Sequence, residues 1–241
     1  MSHGCIAFIM GLAFKRLTLF TVLALLLAYP AARLGVFNWP RSYDPLALPD
    51  LTAKPGFLTQ WQMQFLDNNT DDCLLALSEV GIRVQALPDS GVGTQCPLVG
   101  MVRLYNLWQS RIRTVDTRCA IAARLYLWER HALQPLAKQI FGERVTLVGH
   151  LGSSSCRTMR GSSSLSEHAT ANAIDLAGFR LQNGRTIIIK DHWNDGGDNA
   201  KFLHAVRDSL CDHFNTTLSP DYNADHADHF HADMGKWQSC N

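Results

Sequence analysis

The stretch Ser166-Glu-His-Ala-Thr-Ala-Asn-Ala-Ile-Asp-Leu-Ala-Gly-Phe179 carries the clearest structural signal in the chain. Its second half, residues 173–179, reads as a strand, and Asn183 and Gly184 follow as a turn. Residues 185–190 then provide a returning strand, because two such runs separated by turn residues indicate a hairpin. We therefore expect antiparallel pairing in this half of the chain.

Helical patterns precede this stretch. Residues 73–77 predict a helix capped by Asp71 or Asp72, and residues 117–140 have helical apolar spacing that Pro135 kinks or divides. Shorter patterns predict further strands at residues 98–105, 146–148 and 228–233. Helices set before hairpin-linked strands favour an α+β fold with a small antiparallel sheet flanked by helices.

Metal-binding side chains cluster in two segments around the predicted sheet. His168 and Asp175 lie in the opening stretch, and His231 lies in the segment 225–233 near the chain end. A catalytic zinc ion needs about three imidazole or carboxylate ligands and one open position. Since His168 precedes one strand while Asp175 and His231 occupy two, we expect these residues to form a zinc site on the sheet.

Composition narrows the class of protein. The chain has 241 residues, of which 46% are hydrophobic and 18% are charged, so it can bury a sizeable core in one main domain. The net charge is +1, and Lys and Arg do not cluster outside the N-terminus. This balance argues against nucleic acid as a partner.

The N-terminus reads as a membrane-targeting segment. Lys15 and Arg16 precede an apolar run over residues 17–28. A cleaved signal peptide would use the small residues near Ala31 and Ala32, whereas an uncleaved anchor would extend through residues 34–37 despite Arg33. We favour the anchor, with residues 1–16 in the cytoplasm and the remainder exported, because basic residues tend to stay inside.

These features divide the chain into three parts. Residues 1–37 form the signal-anchor or transmembrane segment, and residues 38–58 contain four prolines and suit an extended linker. Residues 59–241 form the main domain, with the zinc site on its sheet.

Cysteine usage agrees with export. Cys5 lies in or before the targeting segment, which leaves an even number for three disulfides. The absence of any Cys-x2-Cys pair argues against a thiolate zinc site. Among fifteen connectivities we predict three pairs. They are Cys73 with Cys96, Cys119 with Cys156, and Cys211 with Cys240.

The metal-binding segments resemble a known family. Ser166, His168 and Asp175 are similar to the Ser-x-His signature, followed after six residues by Asp, of the D-alanyl-D-alanine carboxypeptidase, lysostaphin and hedgehog zinc-peptidase group. Asp228 and His231 resemble its second signature, an acidic residue three positions before the last histidine ligand, and His229 also completes the alternative His-x-His form.

Surrounding residues make the chain similar to the extensin-like C-terminal domain family of that group, over roughly residues 40–241. They include Ser155-Cys156-Arg157, the run 173–179 and the pair Pro220-Asp221. One departure is Ala171, where the group commonly has glycine. The loop before Asp175 is therefore expected to differ slightly.

The resemblance implies roles for further residues. Asp228 is the favoured base that takes a proton from water. His229 is the competing candidate, because strand alternation places His229 on the same face as His231. Arg157 is implied to stabilise an oxyanion or hold a substrate carbonyl, and Ser166 to hydrogen-bond substrate. A turn-forming or capping role remains the simple alternative for Ser166.

The resulting hypothesis is a membrane-anchored, exported zinc peptidase or amidase that cleaves peptide bonds of peptidoglycan, as a carboxypeptidase or an endopeptidase. Its expected location is the bacterial cell envelope, with the C-terminal domain in the periplasm, or secreted if the N-terminal segment is cleaved. The alternative is a non-catalytic cell-wall-binding module that retains the metal-site fold. A zinc amidohydrolase with another exported substrate is a third reading.

Overall fold

The computed structural model describes residues 3–36 and 40–241. The chain divides into two compact units, Met1–Asp44 and Pro45–Asn241. The predicted boundary between residues 37 and 38 lies outside the described residues. Residues 45–58, expected to form part of a linker, belong to the second unit, because Leu51 is buried in its core and its carbonyl contacts the His131 ring at 3.1 Å.

One helix, α1 at His3–Arg33, dominates the first unit. Its segment Lys15–Arg33 spans 19 residues with mean hydropathy 1.4, which is long and apolar enough to cross a membrane. A signal sequence has the same properties, so this helix indicates either a membrane anchor or a signal sequence. The helix ends at Arg33, and residues 34–36 of the expected apolar extension form a turn after it, while Phe37 lies outside the described residues.

The second unit contains both helices and strands. Its helices are α2 (Thr59–Asn68), α3 (Thr70–Glu79), α4 (Cys119–Trp128), α5 (Gln134–Phe141), α6 (Ile189–His192) and α7 (Asp198–Cys211). Its strands are β1 (Val84–Ala86), β2 (Met101–Leu104), β3 (Arg111–Ile112), β4 (Val115–Arg118), β5 (Val145–Gly152), β6 (Ala173–Leu181), β7 (Thr186–Ile188), β8 (Thr216–Leu218), β9 (Phe230–Asp233) and β10 (Ser239–Cys240).

The predicted helices form with local adjustments. The cap of α3 is Asn69, whose side chain accepts a hydrogen bond from the backbone N–H of Asp72, so neither Asp71 nor Asp72 is the cap. The long predicted helix is divided as expected. A π-helical segment, Glu129–Leu133, separates α4 from α5, and Pro135 lies in the first turn of α5. Proline is tolerated there because the first N–H groups of a helix need no partner within it.

Two sheets organise the strands. A small antiparallel sheet has the order β1-β2-β4, and a larger one has the order β10-β8-β9-β6-β5-β3, with β7 also paired to β6. Pairing is antiparallel through the middle of the larger sheet and parallel for β3 with β5 and β10 with β8. The α+β class is confirmed, whereas the small, purely antiparallel sheet is wrong, because two-residue strands join the larger sheet in parallel.

The core lies between the helices and one face of the larger sheet. Ile174 and Leu176 of β6 are fully buried in it, and the rings of Phe179 and Phe202 meet edge to face at 5.5 Å. Burial of such apolar side chains is the main stabilising contribution to a fold of this size. Because side chains alternate along a strand, this packing turns Asp175 toward the opposite face.

Three disulfides join the second unit: Cys73–Cys119, Cys96–Cys156 and Cys211–Cys240. The predicted pair Cys211–Cys240 is confirmed, and the other two predicted pairs are wrong. The reason is the packing of α3 against α4, which brings Cys73 to Cys119 and leaves Cys96 for the loop that carries Cys156. Together with the apolar N-terminal helix, these bonds indicate an extracellular or periplasmic domain.

The buried disulfide Cys73–Cys119 is expected to contribute more to stability than Cys211–Cys240. Replacing Cys73 and Cys119 by alanine should lower the free energy of unfolding by about 2–5 kcal/mol, because the bond constrains a long segment of the unfolded chain. Its residues are 46 apart and both lie in the core, whereas Cys211 and Cys240 are 29 apart and Cys240 is exposed. Chemical denaturation followed by tryptophan fluorescence should show the smaller loss for the Cys211/Cys240 double variant. An equal or larger loss there would contradict this ranking.

Candidate metal centre

Two strands and one turn bring the predicted ligands together. Asp175 of β6 lies directly opposite His231 of β9 in the antiparallel pair. His168 lies in a 3-10 turn, Glu167–Thr170, that immediately precedes β6. Opposite residues of paired strands present their side chains on the same face, so the sheet register places Asp175 beside His231.

A left-handed residue connects the turn to the strand. Ala171 ends the turn with φ +52°, and its carbonyl accepts hydrogen bonds from the backbone of Arg118 and the hydroxyl of Thr117. Glycine adopts this conformation more readily than alanine, which gives a physical reason for the glycine that the resemblance led us to expect here. Alanine in place of glycine at position 171 therefore allows the turn to form but strains its backbone.

Three ligand atoms meet at one point. His168 Nε2, Asp175 Oδ1 and His231 Nδ1 are each 3.0 Å from the other two. His168 and His231 are buried, and the Asp175 side chain is 15% exposed. Within the described residues, this is the one group of three such side chains arranged to hold a metal ion.

In each imidazole ring, the nitrogen that points away from the triad has a hydrogen-bond partner. That partner determines which nitrogen is left to bind a metal ion. His168 Nδ1 lies 3.0 Å from the carbonyl oxygen of Ser153, which can only accept, so Nδ1 carries the hydrogen. His231 Nε2 lies 2.9 Å from Asp233 Oδ2 and donates to that carboxylate. His168 Nε2 and His231 Nδ1 are therefore the nitrogens left to coordinate a metal ion, an arrangement typical of histidine ligands oriented by a second polar group.

This donor set fits zinc. A tetrahedral zinc ion with bonds of ~2.0–2.1 Å separates its ligand atoms by about 3.3 Å, which small side-chain shifts from the present spacing would supply. Three protein ligands also leave a fourth position open, as catalytic zinc sites require. His168, Asp175 and His231 are thus the residues that would hold the ion.

The surroundings shift the pKa values of the triad. Burial alone would raise the pKa of Asp175, but hydrogen bonds and charges from His168 and His231 outweigh it and hold that pKa well below its usual range. Burial would lower the pKa of His231, yet Asp175 and Asp233 together raise it to about 9. Near neutral pH the metal-free triad therefore contains an ionised aspartate and a protonated His231.

A third histidine lies beside the triad. His229 Nε2 is 3.6 Å from Asp175 Oδ1, and its Nδ1 is 2.7 Å from Asp228 Oδ1. The predicted strand 228–233 begins later, at Phe230, so Asp228 lies in the loop with its side chain 53% exposed. The structure thus brings His229 to the triad, and places Asp228 behind that ring.

The remaining predicted site residues lie nearby with different surroundings. Ser166 is buried, and its hydroxyl accepts the backbone N–H of His168 at 3.3 Å, so it caps the ligand-bearing turn. Arg157 is exposed, its carbonyl accepts from the N–H of Ser166, and its guanidinium has no partner within the described part of the chain. Their roles toward a substrate stay predictions.

Sequence reasoning missed the carbonyl of Ser153 as the partner of His168, because every residue offers a carbonyl and no residue type signals this use. It also missed Gly235, whose N–H donates to Asp233 Oδ1 at 2.7 Å. The only available signal there was the short spacing of Asp233 and Gly235 after His231.

The fold and the triad define an α+β protein with a candidate metal centre built from two histidines and one aspartate. The family described as Extensin-like protein C-terminus matches residues 71–241, and the chain belongs to this family. The expected resemblance to the extensin-like family is confirmed over that range, and the wider resemblance to zinc peptidases stays a prediction. No curated protein and no solved structure matches the chain.

Substituting Gly235 by alanine should weaken metal binding. An added Cβ would lie 2.6 Å from Glu167 Oε1 and 3.0 Å from Asp233 Oδ1, and Asp233 orients His231. Because disturbing such partners lowers metal affinity by roughly 10-fold or more, competition with a chromophoric chelator should show about a 10-fold loss for zinc. Gly56→Ala is the matched control, since nothing lies within 4 Å of its added Cβ. Equal affinities in the two variants would contradict the role of Asp233.

Zinc affinity should rise with pH. His231 has a raised pKa of about 9 in the metal-free protein, so between about pH 6 and pH 7.5 an incoming cation must displace its proton. One displaced proton makes the apparent Kd fall about 10-fold per pH unit in this range, which competition with a chelator of known pH dependence should show. A Kd that does not change with pH would be inconsistent with this assignment.

Proposed function

We propose that the protein is a membrane-anchored, exported zinc-dependent peptidase or amidase that cleaves peptide bonds of peptidoglycan. The observation that carries this proposal is the triad of His168, Asp175 and His231 beside an additional, unliganded His229. The apolar N-terminal helix and three disulfides support an exported substrate. The resemblance of its signatures to zinc peptidases supports the reaction class.

Zinc in such a site supplies Lewis-acid polarisation of a carbonyl and makes water a nucleophile near neutral pH. His168, Asp175 and His231 would hold the ion. The side chains of Asp175 and His231 are 15% and 11% exposed, so neither is fully closed off from solvent.

His229 is the proton carrier in this proposal, and Asp228 is its positioning residue. Because Asp228 Oδ1 accepts from His229 Nδ1, the opposite nitrogen presents a lone pair near the triad. A base must lie within reach of the proton that it removes, and a histidine so oriented can accept one and later release it to the leaving amine. This geometry favours His229 over Asp228 as the base, the reverse of the order that we expected from the sequence.

Arg157 would supply positive charge to the developing oxyanion or hold a substrate carbonyl. Its guanidinium is exposed, and its backbone is hydrogen-bonded to Ser166, which caps the turn of His168. Preorganised cationic donors of this kind stabilise charge that develops in a transition state. Ser166 contributes by holding the ligand turn.

The test is incubation of purified sacculi with the zinc-loaded protein, followed by muramidase digestion and chromatography of the muropeptides. We expect shortened or uncrosslinked peptide stems, and chelator or His168→Ala should abolish this change with loss of zinc. His229→Ala should keep one zinc per chain but lower kcat by about 10²–10⁴-fold, whereas Asp228→Asn should have a smaller effect. The matched control is Asp208→Asn, an exposed carboxylate on α7 that should behave as the parent.

Two outcomes separate the alternatives. If the parent protein binds zinc and sacculi but leaves the muropeptide profile unchanged, the peptidase proposal is wrong and the chain acts as a cell-wall-binding module. If the parent protein binds zinc but not sacculi, both the peptidoglycan peptidase and the cell-wall-binding module are wrong as proposals.

A further inference from the structure

Helix α2 carries two aromatic side chains on the side that faces away from the core. Its Met63 and Leu66 are buried, whereas Trp61 and Phe65 are 53% and 47% exposed, with their ring centroids 6.0 Å apart. Phe57, just before the helix, is 96% exposed. We call Phe57, Trp61 and Phe65 the aromatic face.

The aromatic face lies in a segment without charge. No residue from 55 to 66 is Asp, Glu, Lys, Arg or His, although 18% of the whole chain is charged. Gln64, the exposed residue between Trp61 and Phe65 in the sequence with its side chain in solvent, is polar but uncharged. The outer face of a surface helix is usually lined with charged and polar residues that water solvates. Aromatic rings beside uncharged polar groups suit the boundary between lipid headgroups and acyl chains instead.

A short segment joins this part of the chain to α1. Asp44 is held at the end of α1, because its carboxylate accepts a hydrogen bond from the Tyr29 hydroxyl at 3.1 Å and lies 3.3 Å from Arg33 Nη1. Leu51 is already buried in the core of the second unit. Residues 45–50 connect the two positions, and at ~3.4 Å per residue the path from Asp44 to Leu51 spans at most about 24 Å. If α1 crosses a membrane, the segment that leads into α2 is therefore tethered close to the bilayer surface.

We propose that the aromatic face of α2 docks on the bilayer that holds α1, with its rings at the headgroup boundary. Transfer of the exposed rings out of water is favourable, and residues 55–66 contain no charge that would have to be desolvated. The short tether keeps this face within reach of the lipid. The inference rests on the uncleaved anchor of the proposed function and is independent of the peptidase activity.

Tryptophan fluorescence of the full chain, reconstituted in lipid nanodiscs, tests the docking. The signal of Trp61 is the difference between the parent and Trp61→Leu, and Trp237→Leu gives the signal of Trp237, which is 70% exposed and serves as the matched control. Lipid with brominated acyl chains should lower the Trp61 signal by about 2-fold or more and leave the Trp237 signal unchanged, because bromine quenches on contact and interfacial tryptophan lies at the acyl boundary. Acrylamide in the water should quench Trp237 more strongly than Trp61.

A charge on the aromatic face should weaken the docking. Phe65→Glu should reduce the bromine quenching of Trp61, because a carboxylate at the headgroup boundary must give up water. Val92→Glu places the same charge at another exposed apolar residue and should leave the quenching unchanged. Circular dichroism confirms that each variant is folded. Equal quenching in the two variants contradicts the proposal.

The remaining outcomes separate this inference from the proposed function. A Trp61 signal that bromine leaves unchanged overturns the docking: strong acrylamide quenching then means a free face, and weak quenching means a face covered by protein, such as a second copy of this chain. The intact mass of the protein recovered from membranes reports the anchor. Loss of the N-terminal helix overturns the anchor and the docking together, whereas an unchanged muropeptide profile with Trp61 quenched by bromine overturns only the peptidase activity.

Discussion

The register between β6 and β9 is the constraint on which the candidate centre depends. Ile174 and Leu176 point into the core, so Asp175 between them must face the other way, directly opposite His231. A slip of one residue would exchange the two faces and place a carboxylate in the core. Burial of the apolar side chains thus determines the position of the polar ones. The fold places the ligands without requiring the metal centre to form first.

The triad then depends on groups that define which ring nitrogens are free. Ser153 supplies a carbonyl to His168, while its hydroxyl bonds Thr117 of β4 and the carbonyl of Ala173. Asp233 plays the corresponding part for His231 from the same strand. Since β4 belongs to the small sheet, both sheets contribute to the orientation of one ligand. Such outer partners are part of a metal site's chemistry as much as the ligands are.

Local patterns accounted for the elements that local forces produce. Residues 173–179 and the helix near residue 73 were predictable because alternation, capping and turn residues act over a few positions. The pairing of Cys73 with Cys119 was not, because connectivity follows from the packing of distant elements. Strands of two residues, such as Arg111–Ile112, form only by pairing with a neighbouring strand. They are too short to show a periodic pattern of apolar residues in the sequence. The triad was predictable because His168 and Asp175 are separated by one turn and the start of one strand, and because residue type and the family resemblance added His231 from a second strand.

The ligands also differ from the groups around them in whether a regular element determines their position. His231 lies within β9 and Asp175 within β6, so their positions follow from the sheet, as suits a site that must hold its geometry closely. His229 and Asp228 lie just before β9, where the backbone is free of the ladder and alternation no longer dictates direction. A strand beginning at Asp228 would have pointed that carboxylate away from His231, whereas the loop lets it turn to the His229 ring. In the proposed mechanism the group that carries the proton thus lies in a loop, whereas two of the metal ligands lie on the strands of the sheet, a division between scaffold and loop that binding sites commonly show.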